Sequence, residues 1–330
     1  MAEKEALKLD NKDKKLLYLL DVDGRLTYSQ LAKKTAMSKQ VVKYRMDRLE
    51  KAGTIRGYYP MIDTSRLGFT VFRVYFKFKN ITPAKKEEII NYFKQQKHIW
   101  AVVLIAGKWD IALGVSVENI YQFYEIWDNI LEKYLENIKD YKTSIYSPIY
   151  HYAKAYITGN KDDSKVRILG GREKVSFDDK DIKILISLSK NARASLLEIA
   201  KEVRISAELT SYRIKQLQKR GIIQGYRAMI DVERLGYHFY KAEIRLSNYK
   251  KIKQIMQFCH QHPNIYQVDK TIGGETLEIE FHVKKLQGML DIIAEIEGIF
   301  QNTIESFDYI TVLSEEKMVY MPKISVPLSK

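Results

Sequence analysis

Lys39 and Lys43, and beside them Gln40 and Tyr44, stand four residues apart, the spacing that stacks side chains on one face of a helix. Ammonium, amide and phenol groups at that spacing can donate to phosphate oxygens and to the acceptor edges of nucleic-acid bases. The elements that would carry them are legible in the flanking residues. Val42, Met46 and Leu49 form an apolar stripe, so a helix through this stretch has one side to bury. Ser38 sits where a helix N-cap belongs, and Gly53 where a left-handed residue ends a helix. Upstream, Leu31 and Ala32 give a shorter helix its apolar side, with Ala36-Met37 as the turn. A short helix, a tight turn and a longer basic helix is the layout that seats a recognition helix in the DNA major groove. A plain helical hairpin with a solvated basic face has the same local pattern.

A second copy separates the two readings. A shift of 168 residues lays Phe177-Asp178 on Leu9-Asp10, and the match runs without a gap to Gly236 on Gly68. Arg193 falls on Arg25, Ser206 on Ser38, Tyr212-Arg213 on Tyr44-Arg45, and Gly221 on Gly53. The chain is a tandem duplication.

At 330 residues there is room for two halves of two small domains each. The formal charge of +14 points to a polyanionic partner, which charge alone does not distinguish between nucleic acid and anionic membrane. The single cysteine, Cys259, excludes an internal disulfide framework and suits a reducing, cytoplasmic setting. The charged N-terminal stretch lacks the apolar segment of a signal peptide, and no run is long enough to span a bilayer, so no membrane partner is expected.

After Gly53, TIRGYYPMID reads as a short extended hairpin or wing, with Arg56 in reach of a phosphate backbone. Beyond Gly68, alternation of Phe72, Val74, Phe76 and Phe78 with polar residues predicts a half-buried strand. A helix opening at Thr82-Pro83, strands over 99–106 and 111–117, a helix over 119–135 and an extended stretch over 141–150 follow. That order is the ferredoxin-like βαββαβ plan. The fold class is α+β, with boundaries at 1–62 (winged helix-turn-helix), 63–157 (βαββαβ), 158–176 (polar linker, with a possible extra strand before it), 177–230 and 231–330 (the second pair).

LDNKDKKLL, the segment Gly53-Thr54-Ile55-Arg56-Gly57-Tyr58, Asp63 with Leu67-Gly68, and Gly107-Lys108-Trp109-Asp110 together resemble the Lrp/AsnC (feast/famine) transcription regulators over nearly the whole chain, twice. The resemblance implies sequence-specific binding of double-stranded DNA through the winged helices. It also implies pairing through the βαββαβ (RAM) domains, within one chain as a pseudo-dimer or between chains as a homodimer, and sensing of a small effector, often an amino acid, at their loops. The base-edge candidates are then Lys39, Gln40, Lys43 and Tyr44, with Ala207, Glu208, Ser211 and Tyr212 in the second copy, beside the helix-start serines Ser38 and Ser206. Arg25, Arg48, Arg56, Arg193, Lys215 and Arg227 are phosphate candidates. Arg45 and Arg213 are placed to pack their stems and reach a phosphate. Glu208 makes the second recognition helix less suited to phosphate, so the half-sites should be unequal. The effector candidates are Gly107, Lys108, Trp109 and Asp110, and Gly273, Gly274 and Thr276 in the second loop. There the acid of Asp110 has become Thr276, which favours the first loop. Asp110 could equally cap the strand turn.

Siroheme decarboxylases share this domain layout and hold their substrate with a His/Tyr/Arg-rich second RAM strand. The corresponding stretches, HIWAVVL at 98–104 and IYQVDK at 265–270, lack that pattern, and no enzymatic activity is expected. A ligand- or partner-binding module with vestigial heads is a further alternative. Cys259-His260-Gln261-His262 has no second group at zinc-like spacing, and no metal or cofactor is expected.

Overall fold

A computed structural model describes residues 8–159 and 164–322; the charged start of the chain and part of the polar linker lie outside them. The first head contains α1 (Asn11–Val22), α2 (Tyr28–Thr35), α3 (Lys39–Lys51) and β1 (Ile55–Ile62). Each helix begins where the sequence supplies a cap. Asp10 and Asp13 form a reciprocal capping box on α1, Thr27 and Gln30 do so on α2, and Ser38 Oγ accepts from Val41 N on α3 at 3.2 Å. The first ferredoxin-like unit has β2 (Thr70–Phe78), α4 (Pro83–Gln95), β3 (Ile99–Gly107), β4 (Ile111–Val117), α5 (Ile120–Tyr134) and β5 (Ile138–His151). After a short strand β6 (Arg167–Leu169) the plan repeats: α6 (Asp179–Lys190), α7 (Leu196–Val203), α8 (Ala207–Lys219) and β7 (Ile223–Ile230), then β8 (His238–Leu246), α9 (Ile252–Gln261), β9 (Ile265–Ile272), β10 (Leu277–Val283), α10 (Leu286–Ile299) and β11 (Ile304–Met318).

The expected wing hairpin is a different structure. β1 pairs antiparallel with β7, from Ile55 opposite Ile230 to Ile62 opposite Ile223, so each head supplies the other's partner strand. The heads are therefore interlocked. The apolar core under α1–α3 includes Ala228 and Ile230 of the second half, and the core under α6–α8 includes Ile62 and Phe69 of the first.

The two ferredoxin-like units are also paired within the chain. Each has its own antiparallel order, β5-β2-β4-β3 and β11-β8-β10-β9. β5 spends residues 138–145 on β2 and 145–151 on β9, while β11 spends 304–311 on β8 and 310–318 on β3. The eight strands thus close into a ring, with β6 added alongside β5. One face of each sheet packs under helices, through Phe76, Phe93 and Leu113 in the first unit and Ile279, Ile293 and Phe281 in the second. The opposite faces meet inside the ring. There Tyr75 OH of the first half donates to Glu278 of the second at 3.3 Å. Lys241 Nζ lies 3.0 Å from Asp269, 3.1 Å from Glu280 and against Glu278, all of them buried.

Candidate nucleic-acid interface

Val42, Met46 and Leu49 are fully buried, and they fix the rotation of α3 so that the opposite face is turned outward. On that face Lys39, Gln40 and Lys43 are exposed, and Tyr44 is 68% exposed. An exposed tyrosine in the second turn of a basic helix presents both a donor and a flat apolar ring to whatever docks there.

The arginines divide sharply from these residues. Arg45 Nη1 lies 2.8 Å from both Asp10 and Asp13, and Arg48 Nη2 pairs with Asp13, so the carboxylates that cap α1 also anchor α3. The Asp10 carboxyl is held below its usual range, first by the backbone N–H of Asp13 and then by Arg45. The second head repeats this with Arg213 on Asp178 and Asp181. Gln216 stands at the position of Arg48, and Arg220 reaches Asp181 in its place at 3.0 Å. Arg45, Arg48 and Arg213 therefore serve the heads' own packing and are not free for phosphates.

Arg25 and Arg193 are likewise committed. Arg25 donates to the carbonyls of Ala192 and Ala194, and Arg193 to those of Gly24 and Leu26. Arg227 is 1% exposed, and its guanidinium sits on Asp21 and the Tyr152 carbonyl. It belongs to the core, and the expectation of a phosphate contact fails on burial. Arg56 alone of the expected phosphate arginines keeps an exposed head, 50% accessible, at 3.8 Å from Asp231.

On α8, Ser206 Oγ caps Leu209 N at 3.1 Å, Glu208 and Lys215 are exposed, and Tyr212 is 59% exposed. Ser211 and Lys215 line a cleft of about 500 Å³ that also takes in Asp23 and Arg25 of the first head. Part of the second recognition helix thus faces the head-to-head seam. Lys33 and Lys34, exposed in the last turn of α2, were not singled out from the sequence. Their signal was the helix-turn-helix register itself, since the helix before the recognition helix crosses the backbone. Their second-half counterparts are Lys201 and Glu202, and Glu202 is bound to Lys190 and Ser187.

The two candidate effector loops have a structural use for their polar residues. Asp110 accepts from Phe78 N and from Lys77 Nζ, each at 2.8 Å. Thr276 Oγ1 accepts from Leu246 N at 3.1 Å, the same backbone position in the second copy, while Arg245 there pairs with Glu275 at 3.0 Å. The acid-to-threonine change keeps the turn's cap and moves the ion pair by one residue. Trp109 is buried and stacks on Tyr75, and Lys108 crosses to Asp308 of the other half at 2.6 Å. Gly107 (φ 122°) lies where a Cβ would be 2.8 Å from Tyr309 O, and Gly273 (φ 83°) where it would be 3.2 Å from Thr143 O. These glycines admit the close approach of the neighbouring half's strand. Gly274 is boxed in by Thr271. Among the described residues no group of three or more His, Cys, Asp or Glu converges as a metal site, and no helix is long and apolar enough to cross a membrane.

The winged helix-turn-helix DNA-binding family matches residues 9–56 and again 177–224. An uncharacterized HTH-type transcriptional regulator of Bacillus subtilis, YezC, is 31% identical over 97 residues, which span 29% of this chain and 68% of YezC. The chain belongs to the Lrp/AsnC family. A second relative, an uncharacterized HTH-type transcriptional regulator of Pyrococcus horikoshii, is 27% identical over 154 residues, 46% of this chain and 94% of the relative. That relative matches about half of this chain, in keeping with a unit present twice. Over the full length, the siroheme decarboxylase NirDL superposes with a TM-score of 0.64 at 15% identity, covering 95% of this chain and 94% of that one. At that identity the likeness is one of fold. The doubled family unit, its heads crossed at β1–β7 and its sheets joined in a ring, is the architecture of this Lrp/AsnC chain.

Proposed function

We propose that this chain is a cytoplasmic, sequence-specific DNA-binding transcription regulator that reads a pseudo-palindromic site with two unequal recognition helices. The observation that carries the reading is the outward face of α3. Lys39, Gln40, Lys43 and Tyr44 are exposed together, while the neighbouring arginines are consumed by Asp10 and Asp13. Lys33, Lys34 and Arg56 flank that face as phosphate contacts. The second head offers less, with Glu208 at the start of α8 and Ser211 and Lys215 turned towards the seam. The first head therefore dominates affinity. Pairing within one chain lets it replace a homodimer on DNA.

An amino-acid effector at the loop over 107–110 would have to exchange its ammonium for that of Lys77 on Asp110, so effector control there is a competition with an existing ion pair.

A catalytic reading is favoured by the full-length likeness to NirDL. Against it, two polar side chains of β9 are already paired: Tyr266 donates to Glu280 at 2.6 Å, and Gln267 to Asp269 at 2.8 Å. The matching strand β3 contributes buried Ile99, Ala101, Val102 and Val103. Tyr266, Gln267 and Asp269 are thus spent within the chain, and β3 carries no ionisable side chain.

The test is anisotropy titration of the chain's own upstream DNA against a scrambled duplex over a salt series, beside a Lys39→Ala/Lys43→Ala variant. The expected result is selective binding with a steep negative salt slope, weakened and made less selective in the double variant. Equal affinity for both duplexes, or release of CO₂ from siroheme, overturns the reading.

A further inference from the structure

A cleft of about 780 Å³ opens between the first head and the second ferredoxin-like unit, and its lining takes in no residue of either recognition helix. Three separate elements bring cations to it. Lys14 and Lys15 come from α1, Arg234 from the turn after β7, and Lys284 from the loop after β10. Among the described residues no acidic side chain lines the cleft, and no ion pair involves Lys14, Lys15 or Lys284. Several cations elsewhere in this molecule are paired, as Arg45, Lys77, Lys142, Lys154 and Lys241 are. Arg234 is paired with Asp231 at 3.6 Å, so three lysines carry the uncompensated charge; concentrating them in one concave site disfavours the empty state and favours a ligand carrying several negative charges.

The apolar part of the cleft combines aliphatic side chains, among them Leu19 and Leu235, with tyrosine rings. The rings of Tyr156 and Tyr237 lie 4.4 Å apart, and Lys284 Nζ is 5.9 Å from the Tyr237 ring. Tyr156 is locked by its hydroxyl on His282 Nδ1 at 2.8 Å, and Tyr237 by a hydrogen bond to the Tyr156 carbonyl. Rigid rings beside cations suit a flat ring joined to an anionic group. The volume is that of a small-molecule site.

The duplication supplies an internal control. The 168-residue shift puts Ile182 at Lys14, Ile186 at Tyr18 and Phe69 at Tyr237. In that place Ile182 and Phe69 are buried in one apolar cluster with Met321. Lys15 and Arg234 keep cationic counterparts in Lys183 and Arg66, so what sets the first-head cleft apart is Lys14, Tyr18 and Tyr237 in place of Ile182, Ile186 and Phe69.

We propose that this cleft is a binding site for a ring-bearing polyanion, of the class of nucleoside di- and triphosphates. Calorimetry on the full chain, without DNA, uses ADP as the probe, with pyrophosphate and adenosine as its separate halves and benzene-1,3,5-tricarboxylate as the carboxylate counterpart. ADP is expected to saturate one site per chain and to bind at least about tenfold more tightly than either half, a difference of ~1.4 kcal/mol. Lys284→Glu, an exposed substitution, should weaken ADP by at least about tenfold, and Lys284→Gln by less. Tighter binding of the tricarboxylate, lost in the same variant, upholds the ring-bearing polyanion and moves its anionic groups from phosphate to carboxylate. Absence of saturable binding by both, or binding untouched by Lys284→Glu, overturns the site. So does loss of ADP binding in Lys39→Ala/Lys43→Ala, which would place the ligand on the recognition helix. Because no DNA is present, failure here leaves the regulator reading where it stands.

Discussion

Arg25 and Arg193, equivalent residues of the two heads, each donate into the other head's backbone: Arg193 Nη1 reaches Gly24 O at 2.7 Å, and Arg25 Nη2 reaches Ala194 O at 3.2 Å. The exchange ties together the loops that precede α2 and α7, beside the β1–β7 pairing. Arg25→Ala and Arg193→Ala should each lower unfolding stability by roughly 1.5–3 kcal/mol, the range for hydrogen bonds to a charged group. The salt slope of DNA binding should stay unchanged, because neither guanidinium is spent on a phosphate. Urea titration and a salt series check the two halves of this expectation; a slope lowered by one contact would return these arginines to the DNA.

Asp110→Thr reproduces in the first loop what Thr276 does in the second. Because threonine retains an acceptor for Phe78 N, the substitution should cost no more than about 1 kcal/mol, while Asp110→Ala, which strands that N–H, should cost about 1–3 kcal/mol. Thermal melts of the two variants give the comparison. Equal losses would mean that the pair with Lys77, and not the turn cap, is what Asp110 contributes.

Inside the ring, burial raises the Asp269 carboxyl to about 6 against the attraction of Lys241, with Glu280 and Glu278 adding to the rise. Its ordinary value in an unfolded chain is about 3.9. The folded state thus holds the proton more tightly. The contribution is full below about pH 4 and is lost as pH rises through about 6, by up to ~3 kcal/mol. Denaturant unfolding of the wild type and Asp269→Asn at pH 4.5 and 7 should show the wild type's advantage shrinking at the higher pH. A difference that grows with pH would reverse the sign and refute the argument.

Cys259 is fully buried on α9, and burial pushes its thiol well above the ordinary range. The thiolate is the reactive form. Native protein at pH 8 should therefore resist alkylation for as long as it stays folded, and denatured protein should take up one equivalent per chain. Rapid native labelling, read by mass, would contradict the packing of α9 against β9.

Helix starts, strand alternation and the duplication were legible because each is local or periodic. Asp10, Thr27 and Ser38 cap the helices their positions implied, and Phe72 to Phe78 form the strand their alternation implied. The arginines were not legible. Arg45 and Lys43 are two residues apart on one basic helix, and only the fold reveals that Asp10 and Asp13 neutralise the first and leave the second exposed. Arg227, a phosphate candidate by its sequence, sits on Asp21, more than two hundred positions earlier. The β1–β7 pairing was hidden for a related reason: a strand's sequence specifies its faces but not the partner at its edge. Gly107 and Gly273 were read as ligand-loop glycines, and what they meet is the other half's backbone.

The two seams that close the ring, β3 on β11 and β5 on β9, carry a consequence for assembly at high concentration. Each seam joins a strand of the first half to one of the second, and nothing in its hydrogen bonding requires that both halves come from one molecule. What favours closure at home is the effective concentration set by the stretch between β5 and α6. Refolding at protein concentrations that rival this value should let the first half of one chain close on the second half of another, giving strand-exchanged dimers and longer concatemers with every seam satisfied.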